Sequence, residues 1–290
     1  MQREACFMKR MGELLAFHKI INRPEDLNDD NFDDAIVEFQ EKADIMADGI
    51  PRWETLWQLQ FPWVQQQPKL SFVKCDADKL PGIEGHDHVW LRQDAAEKYN
   101  ELRKEVLALG GVMPIEQGKR PLSEGVSMGK SSTSLHYTGL AFDLSSNAGF
   151  FKPDTDPFVI TLGGSGGYWE IWCRSSRCQD TKLNALYWDD PNSGKDRHKT
   201  IQGNFINFTR TAGKYGFSPI RPRLSFTRAK DRKYIGCEWW HFQANDLLIP
   251  NLSQLGIELM RIAEYTPEYI RNTSETLWGR KQAIFQQDWF

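Results

Sequence analysis

The chain has no long apolar run. Its mean hydropathy is −0.57, and without about 20 consecutive apolar residues no helix spans a membrane. It also lacks charge of one sign. Lys and Arg number 36 against 39 Asp and Glu, a net charge of −3. No like-charged block stands out, and binding phosphates needs a basic footprint, so nucleic acid is excluded as the main partner. Cysteine is scarce: Cys6, Cys75, Cys173, Cys178 and Cys237 are too scattered for a disulfide framework. They also lack the short spacing of a Cys₂ metal site. Cys173 and Cys178 can pair in an oxidising compartment, but reduced, buried thiols are the expected state. The segment Gly163-Gly-Ser-Gly-Gly167 lacks the Lys and Ser/Thr of a phosphate loop. No secretory signal is read at the start: His18 and Lys19 interrupt the apolar stretch Leu14 to Ile21, and no small-residue cleavage site follows.

What the chain does have is a packed-core composition. Its 290 residues are 40% hydrophobic, with 11 Trp and 17 Phe, enough for one or two domains. The expected division is a helical module over residues 1–63, a linker over 64–69 and a second domain over 70–290 with a C-terminal helical extension. Met11, Leu14, Leu15 and His18 share one face of a helix from about Phe7 to Ile21. Ile36, Phe39 and Ala43 recur at helical spacing, and Asp48-Gly49 signals a turn. Pro62, Gln65-Gln66-Gln67 and Pro68 read as the linker. A helix is expected over Arg92 to Leu109. Phe158 to Leu162 and Tyr168 to Cys173 read as strands of a hairpin, and helices over Leu252 to Tyr265 and Ser274 to Phe285 close the chain. The fold class is α+β, and separated helices and strands are as far as the residues alone carry it.

The chemistry lies in Ser134-Leu-His-Tyr-Thr-Gly-Leu-Ala-Phe-Asp143 and Glu238-Trp-Trp-His241. Hydrolytic zinc sites use three N/O ligands and keep a fourth position for water. His136, Asp143 and His241 supply such a set, and Glu238 is a spare carboxylate to act as base. Leu140 to Leu144 reads as a strand entered through Gly139, with Ala141 and Asp143 on one face and Leu140, Phe142 and Leu144 on the other. Cys237 to Ala244 reads as a second strand. Regular alternation would turn Glu238 away from His241, so a bulge or bend is required there. His86-Asp87-His88 reads as a surface or substrate-rim pair, and His198 as part of a solvated loop.

These two segments resemble the S-x-H-x-x-G-x-A-x-D and E-x-W-H signatures of the zinc D-Ala-D-Ala carboxypeptidase family. That family belongs to the larger group containing lysostaphin-type peptidases and the hedgehog signalling domain. The resemblance covers roughly Leu70 to Asp246. It implies a zinc peptidase domain with a small, mostly antiparallel sheet flanked by helices. It also implies Zn²⁺ on His136, Asp143 and His241, with Glu238 catalytic. The segment Gln117-Gly-Lys-Arg120-Pro is similar to the family's arginine segment, with Lys119 where a tyrosine is usual. Arg120 is thereby implied as the partner of the substrate carbonyl or carboxylate. Phe205 to Phe217 is similar to the family's helix and Gly-Phe turn.

A second resemblance covers Ala35 to Leu56. Phe39-Gln40, Asp48-Gly49 and Thr55-Leu56 are similar to a small helical peptidoglycan-binding module. Together the resemblances imply a hydrolase of peptidoglycan peptide stems. The alternative is a non-catalytic, zinc-stabilised wall-binding domain. Without a signal, the expected routes to the periplasm or wall are lysis, as for a phage lysin, or injection as an antibacterial effector. The second route would bring a secretion-machine or immunity partner.

Overall fold

The structure, a computed structural model, describes residues 4–124, 130–131, 133–163, 169–188, 196–223, 226 and 234–272. The chain divides into two compact units. One comprises Met1–Ser71, Leu122–Val126 and Leu248–Phe290, the other Phe72–Pro121 and Ser127–Leu247.

The first unit is helical. Helices α1 (Ala5–Phe17), α2 (Phe32–Lys42) and α3 (Trp53–Gln65) present amphipathic faces to one another. Met11, Leu14 and Leu15, Ile36 and Phe39, and Leu56 and Leu59 fill the space between them. Gln40 is buried within this unit, and a buried amide demands partners. Its Oε1 accepts from the backbone N–H groups of Asp48 (3.0 Å) and Gly49 (2.9 Å). Its Nε2 donates to Ile50 O and Thr55 Oγ1, both at 3.1 Å. Gly49 takes φ +74°, which only glycine adopts cheaply. The Phe-Gln, Asp-Gly and Thr-Leu pairs are thus one device that folds α2 back onto α3.

Two expectations are corrected in this unit. Helix α3 continues to Gln65 with Pro62 inside it, so Pro62 is not linker. A proline there forfeits one helical bond, yet neighbouring Leu59 and Val64 are fully buried and hold the helix in place. The C-terminal stretch groups with these helices. Leu252 joins their core, Gln60 Nε2 donates to Leu252 O at 3.1 Å, and Gln254 Nε2 donates to Trp53 O at 2.9 Å. Its helices are α6 (Leu255–Met260) and α7 (Pro267–Asn272), shorter than the periodicity predicts. The helix expected over Ser274 to Phe285 lies outside the described residues.

The second unit mixes helix and sheet, in keeping with the α+β class. An antiparallel ribbon of β1 (Phe72–Asp76) and β2 (His88–Arg92) leads into α4 (Gln93–Ala108). A four-stranded antiparallel sheet has the order β3 (Ile115–Gln117), β4 (Ala141–Leu144), β10 (His241–Gln243), β9 (Ser218–Pro219). Between β4 and α5 (Phe208–Lys214) the chain forms a closed barrel of β5 (Phe158–Leu162), β6 (Trp169–Arg174), β8 (Asp196–Asn207) and β7 (Asp180–Trp188). The hairpin expected here is therefore part of a four-stranded closed barrel.

The core of this unit forms on one side of β4. Phe142 is fully buried. Its ring stacks on Phe242 at 5.7 Å and meets Phe217 edge-on at 5.1 Å and Tyr99 at 5.4 Å. Burying such rings stabilises by roughly 1.5–3 kcal/mol each. It also fixes the register of β4, because a one-residue slip would put Asp143 in the core.

Candidate metal centre

Three local structures bring the candidate ligands together. Ser134 caps a short 3₁₀ turn, Leu135–Thr138, that carries His136, and Gly139 ends it at φ +66°. A Cβ at Gly139 would lie 2.6 Å from Arg92 N and 2.7 Å from the Phe72 ring, so this reversal requires glycine. It feeds straight into β4, where Asp143 faces away from the Phe142 core. Strand β10 then pairs antiparallel with β4, with His241 directly opposite Asp143. Cross-strand partners share a face.

The donor atoms converge. His136 Nε2 lies 3.2 Å from Asp143 Oδ1 and 3.2 Å from His241 Nδ1, and the latter lies 2.9 Å from the same Asp143 oxygen. Among the described residues, these three form the one group with such convergence. Two neighbours choose the ring nitrogens. His136 Nδ1 is 2.7 Å from Gly118 O and therefore donates to it. His241 Nε2 faces Gln243 Oε1 at 3.4 Å. Each imidazole thus turns a lone pair inward, towards a carboxylate oxygen that only accepts. Three acceptors in a buried site repel unless a cation joins them. Donors on one tetrahedral zinc, bonded at about 2.0–2.1 Å, sit about 3.3 Å apart. The observed triangle and its donor set therefore fit zinc.

The three groups are tightly coupled. Burial works against the Asp143 carboxylate, yet the charges and hydrogen bonds of His136 and His241 outweigh it and hold its pKa well below the usual range. Burial pushes His136 down against the pull of Asp143. Burial also acts to lower His241, but Asp143 and Glu238 together raise it.

Glu238 corrects the strand reading. Only His241–Gln243 is strand, and Glu238 to His241 forms a turn closed by His241 N–H donating to Glu238 O at 3.2 Å. Glu238 takes φ +53°, a region costly for a residue with a side chain. That kink is the bend the alternation demanded, and it puts Glu238 on the cleft with the ligands. Neighbouring tryptophans hold it. Trp169 Nε1, from the barrel, donates to Cys237 O at 2.5 Å, and Trp239 Nε1 donates to Tyr234 Oη at 3.0 Å. Burial raises the Glu238 pKa, opposed by Arg223 and His241.

Arg120 also reaches the cleft. Its Nη2 donates to Gln117 Oε1 at 2.7 Å, its backbone N–H donates to His136 O at 3.0 Å, and its guanidinium lies 5.5 Å from the Tyr137 ring centre. The cleft encloses about 730 Å³ and is lined by His136, Asp143, Glu238 and His241 as well as Arg120. His86 lines it too, whereas His88 lines an adjoining cavity. His198 lies exposed on β8 rather than in a loop.

Three participants escape the sequence reading. Arg223 sits with its Nε 2.5 Å from Glu238 Oε1, and no motif spacing signals a pair 15 residues apart. Gly118 O and Gln243, the partners of the two imidazoles, act through positions that only the folded chain reveals. Comparisons with protein families, with curated proteins and with solved structures find no match.

Proposed function

We propose that the chain is a zinc-dependent hydrolase that cuts the peptide stems of bacterial peptidoglycan, as a D,D-carboxypeptidase or D,D-endopeptidase. The observation that carries this reading is the convergence of His136, Asp143 and His241 in one cleft with a kinked, buried Glu238. A purely structural metal site has no use for a strained carboxylate beside its ligands.

His136 Nε2, Asp143 Oδ1 and His241 Nδ1 would hold the zinc. When bound, the metal supplies a Lewis acid that activates water at neutral pH. Glu238 takes the proton from the attacking water and passes it to the leaving amine. Its buried setting favours this exchange, because burial raises a carboxyl towards neutral pH. Arg223 holds the Glu238 carboxylate in place. Arg120 donates to the oxygen on which negative charge develops, where a preorganised donor is worth more than in water. The assignment of the helical unit to the wall polymer rests on its resemblance to a peptidoglycan-binding module, since its Phe-Gln, Asp-Gly and Thr-Leu pairs are spent on the fold. Action in the periplasm or wall follows from that substrate.

The test is digestion of purified peptidoglycan by the zinc-loaded protein, with fragments identified by mass spectrometry. Stems shortened by a terminal residue, or freed cross-links, are expected. Chelation should abolish them and zinc restore them. Intact stems after prolonged incubation with zinc-loaded protein would overturn the proposal.

A further inference from the structure

Beside the metal cleft lies a second cavity of about 270 Å³, lined by His86, His88, Trp90, Glu116, Gln117 and Lys119 among others. His86, Glu116 and Gln117 line both spaces, so the second continues the first. Its rings form a series. His86 and His88 have centroids 6.4 Å apart, and His88 meets Trp90 edge-on at 6.5 Å. His86 opens onto the metal cleft, so the row leads outward from the metal. Trp90 is 45% exposed, on a strand whose alternate residues Val89 and Leu91 are buried.

These rings are not needed for packing, since the buried side of the ribbon already supplies it. Nor do His86 and His88 form a second metal site: among the described residues, the one convergent donor group is the His136 cluster. His88 Nδ1 is occupied by Asp87 Oδ1 at 2.5 Å.

The backbone around the rings narrows the choice of ligand. An extended peptide usually binds a sheet by adding a strand to a free edge. Strand β2 has none. One edge pairs with β1. On the other, Trp90 O accepts from Lys119 N–H at 2.7 Å and Arg92 N–H donates to Gly139 O at 3.0 Å. His86 N–H is likewise taken by Ile115 O at 2.8 Å. The cavity itself is lined by a row of ring faces and edges with polar side chains beside them. That suits a ligand with flat apolar C–H faces and a rim of hydroxyl and amide groups, which is the chemistry of pyranose sugars bearing N-acyl groups.

We propose that the His86–His88–Trp90 row is a saccharide subsite that receives the glycan strand carrying the stem peptide. Trp90 stacks against a sugar face, and the His86 and His88 rings continue the contact along the row. This deepens the peptidoglycan reading and rests on it for the identity of the glycan. Binding of sugar alone, however, does not depend on hydrolysis.

The experiment uses the full chain, zinc-loaded, and isothermal titration calorimetry with the tetramer of N-acetylglucosamine, which contains no peptide. Saturable binding is expected, weakened at least ten-fold in Trp90→Ala and largely restored in Trp90→Phe. Zinc content and circular dichroism should be unchanged in both variants. Absence of binding by the unaltered protein overturns the subsite. Equal binding by Trp90→Ala also overturns it, by placing the sugar elsewhere. Cleavage of a free stem peptide, measured in parallel, separates the two proposals. If the tetramer binds through Trp90 but no stem is cut, the subsite stands and the hydrolase reading fails. If stems are cut but no sugar binds, the reverse holds.

Discussion

Two histidine pairs lie in the same unit, and they differ in almost everything but residue type. His136 and His241 are buried, with ring centres 4.9 Å apart and one nitrogen of each turned onto Asp143. His86 is exposed and His88 only half-buried, with ring centres 6.4 Å apart and no shared carboxylate between them. The first pair is 105 residues apart in sequence and the second is 2. Proximity along the chain therefore says little about ligation. What distinguishes the pairs is the partner on the far nitrogen. Gly118 O and Gln243 Oε1 engage the outer nitrogens of the first pair and so turn lone pairs inward. Orienting partners of this kind fix the tautomer of metal-binding imidazoles.

The contrast is most directly broken by removing one member of each pair. His136→Ala should reduce bound zinc from one per chain to almost none, read by elemental analysis after gel filtration. A variant that keeps full zinc would remove the assignment. Next in size, Glu238→Gln should retain zinc while hydrolysis of stem peptides falls by about 10²–10⁴-fold, the usual cost of losing a general base. Near-native turnover would move that role to another group, with His86, which also lines the cleft, the first suspect.

Acid should sharpen the same difference. Asp143 and Glu238 raise His241, so in the metal-free protein a proton occupies the site at a higher pH than an ordinary imidazole would allow. The proton and zinc compete for one lone pair, so zinc affinity should fall as pH drops through that raised value. Competition with a chelator of known affinity measures it, and an affinity flat from pH 8 to about 5.5 would contradict the reading. A smaller effect is expected one step out from the ligands. Gln243→Leu should weaken zinc by about ten-fold, the low end for an orienting partner, because its contact with His241 is long at 3.4 Å. His88→Ala should leave zinc unchanged and alter stability by less than about 0.5 kcal/mol, as for most surface changes. Zinc loss in that variant would dissolve the distinction between the pairs.

Much of the candidate site is legible before folding because its pieces are local. Gly139 must follow the His136 turn since no Cβ fits there. Alternation puts Asp143 opposite Phe142, and the aromatic density around it names the buried face. In the helical unit, periodicity locates α1 to α3, and Asp48-Gly49 marks the turn that Gln40 then secures. The boundaries fail where a tertiary partner overrides local preference. Pro62 stays helical because the core holds both of its flanks. The strand over Cys237 to Ala244 is cut to three residues because Trp169 and Tyr234 hold the preceding turn.

The sequence by itself determined the candidate ligand types, their order and the face of β4 on which Asp143 stands, since these follow from residue chemistry and the period of a strand. It also determined that Glu238 needed a bend to act, because alternation left it on the wrong side. Only the tertiary structure decided that His241 lies directly opposite Asp143, that Arg223 grips Glu238, and that His86 opens onto the cleft. The first two of those contacts span 98 and 15 residues. No local energy specifies such distances; they are set when the Phe142 core closes and brings β4, β10 and the Glu238 turn into one register.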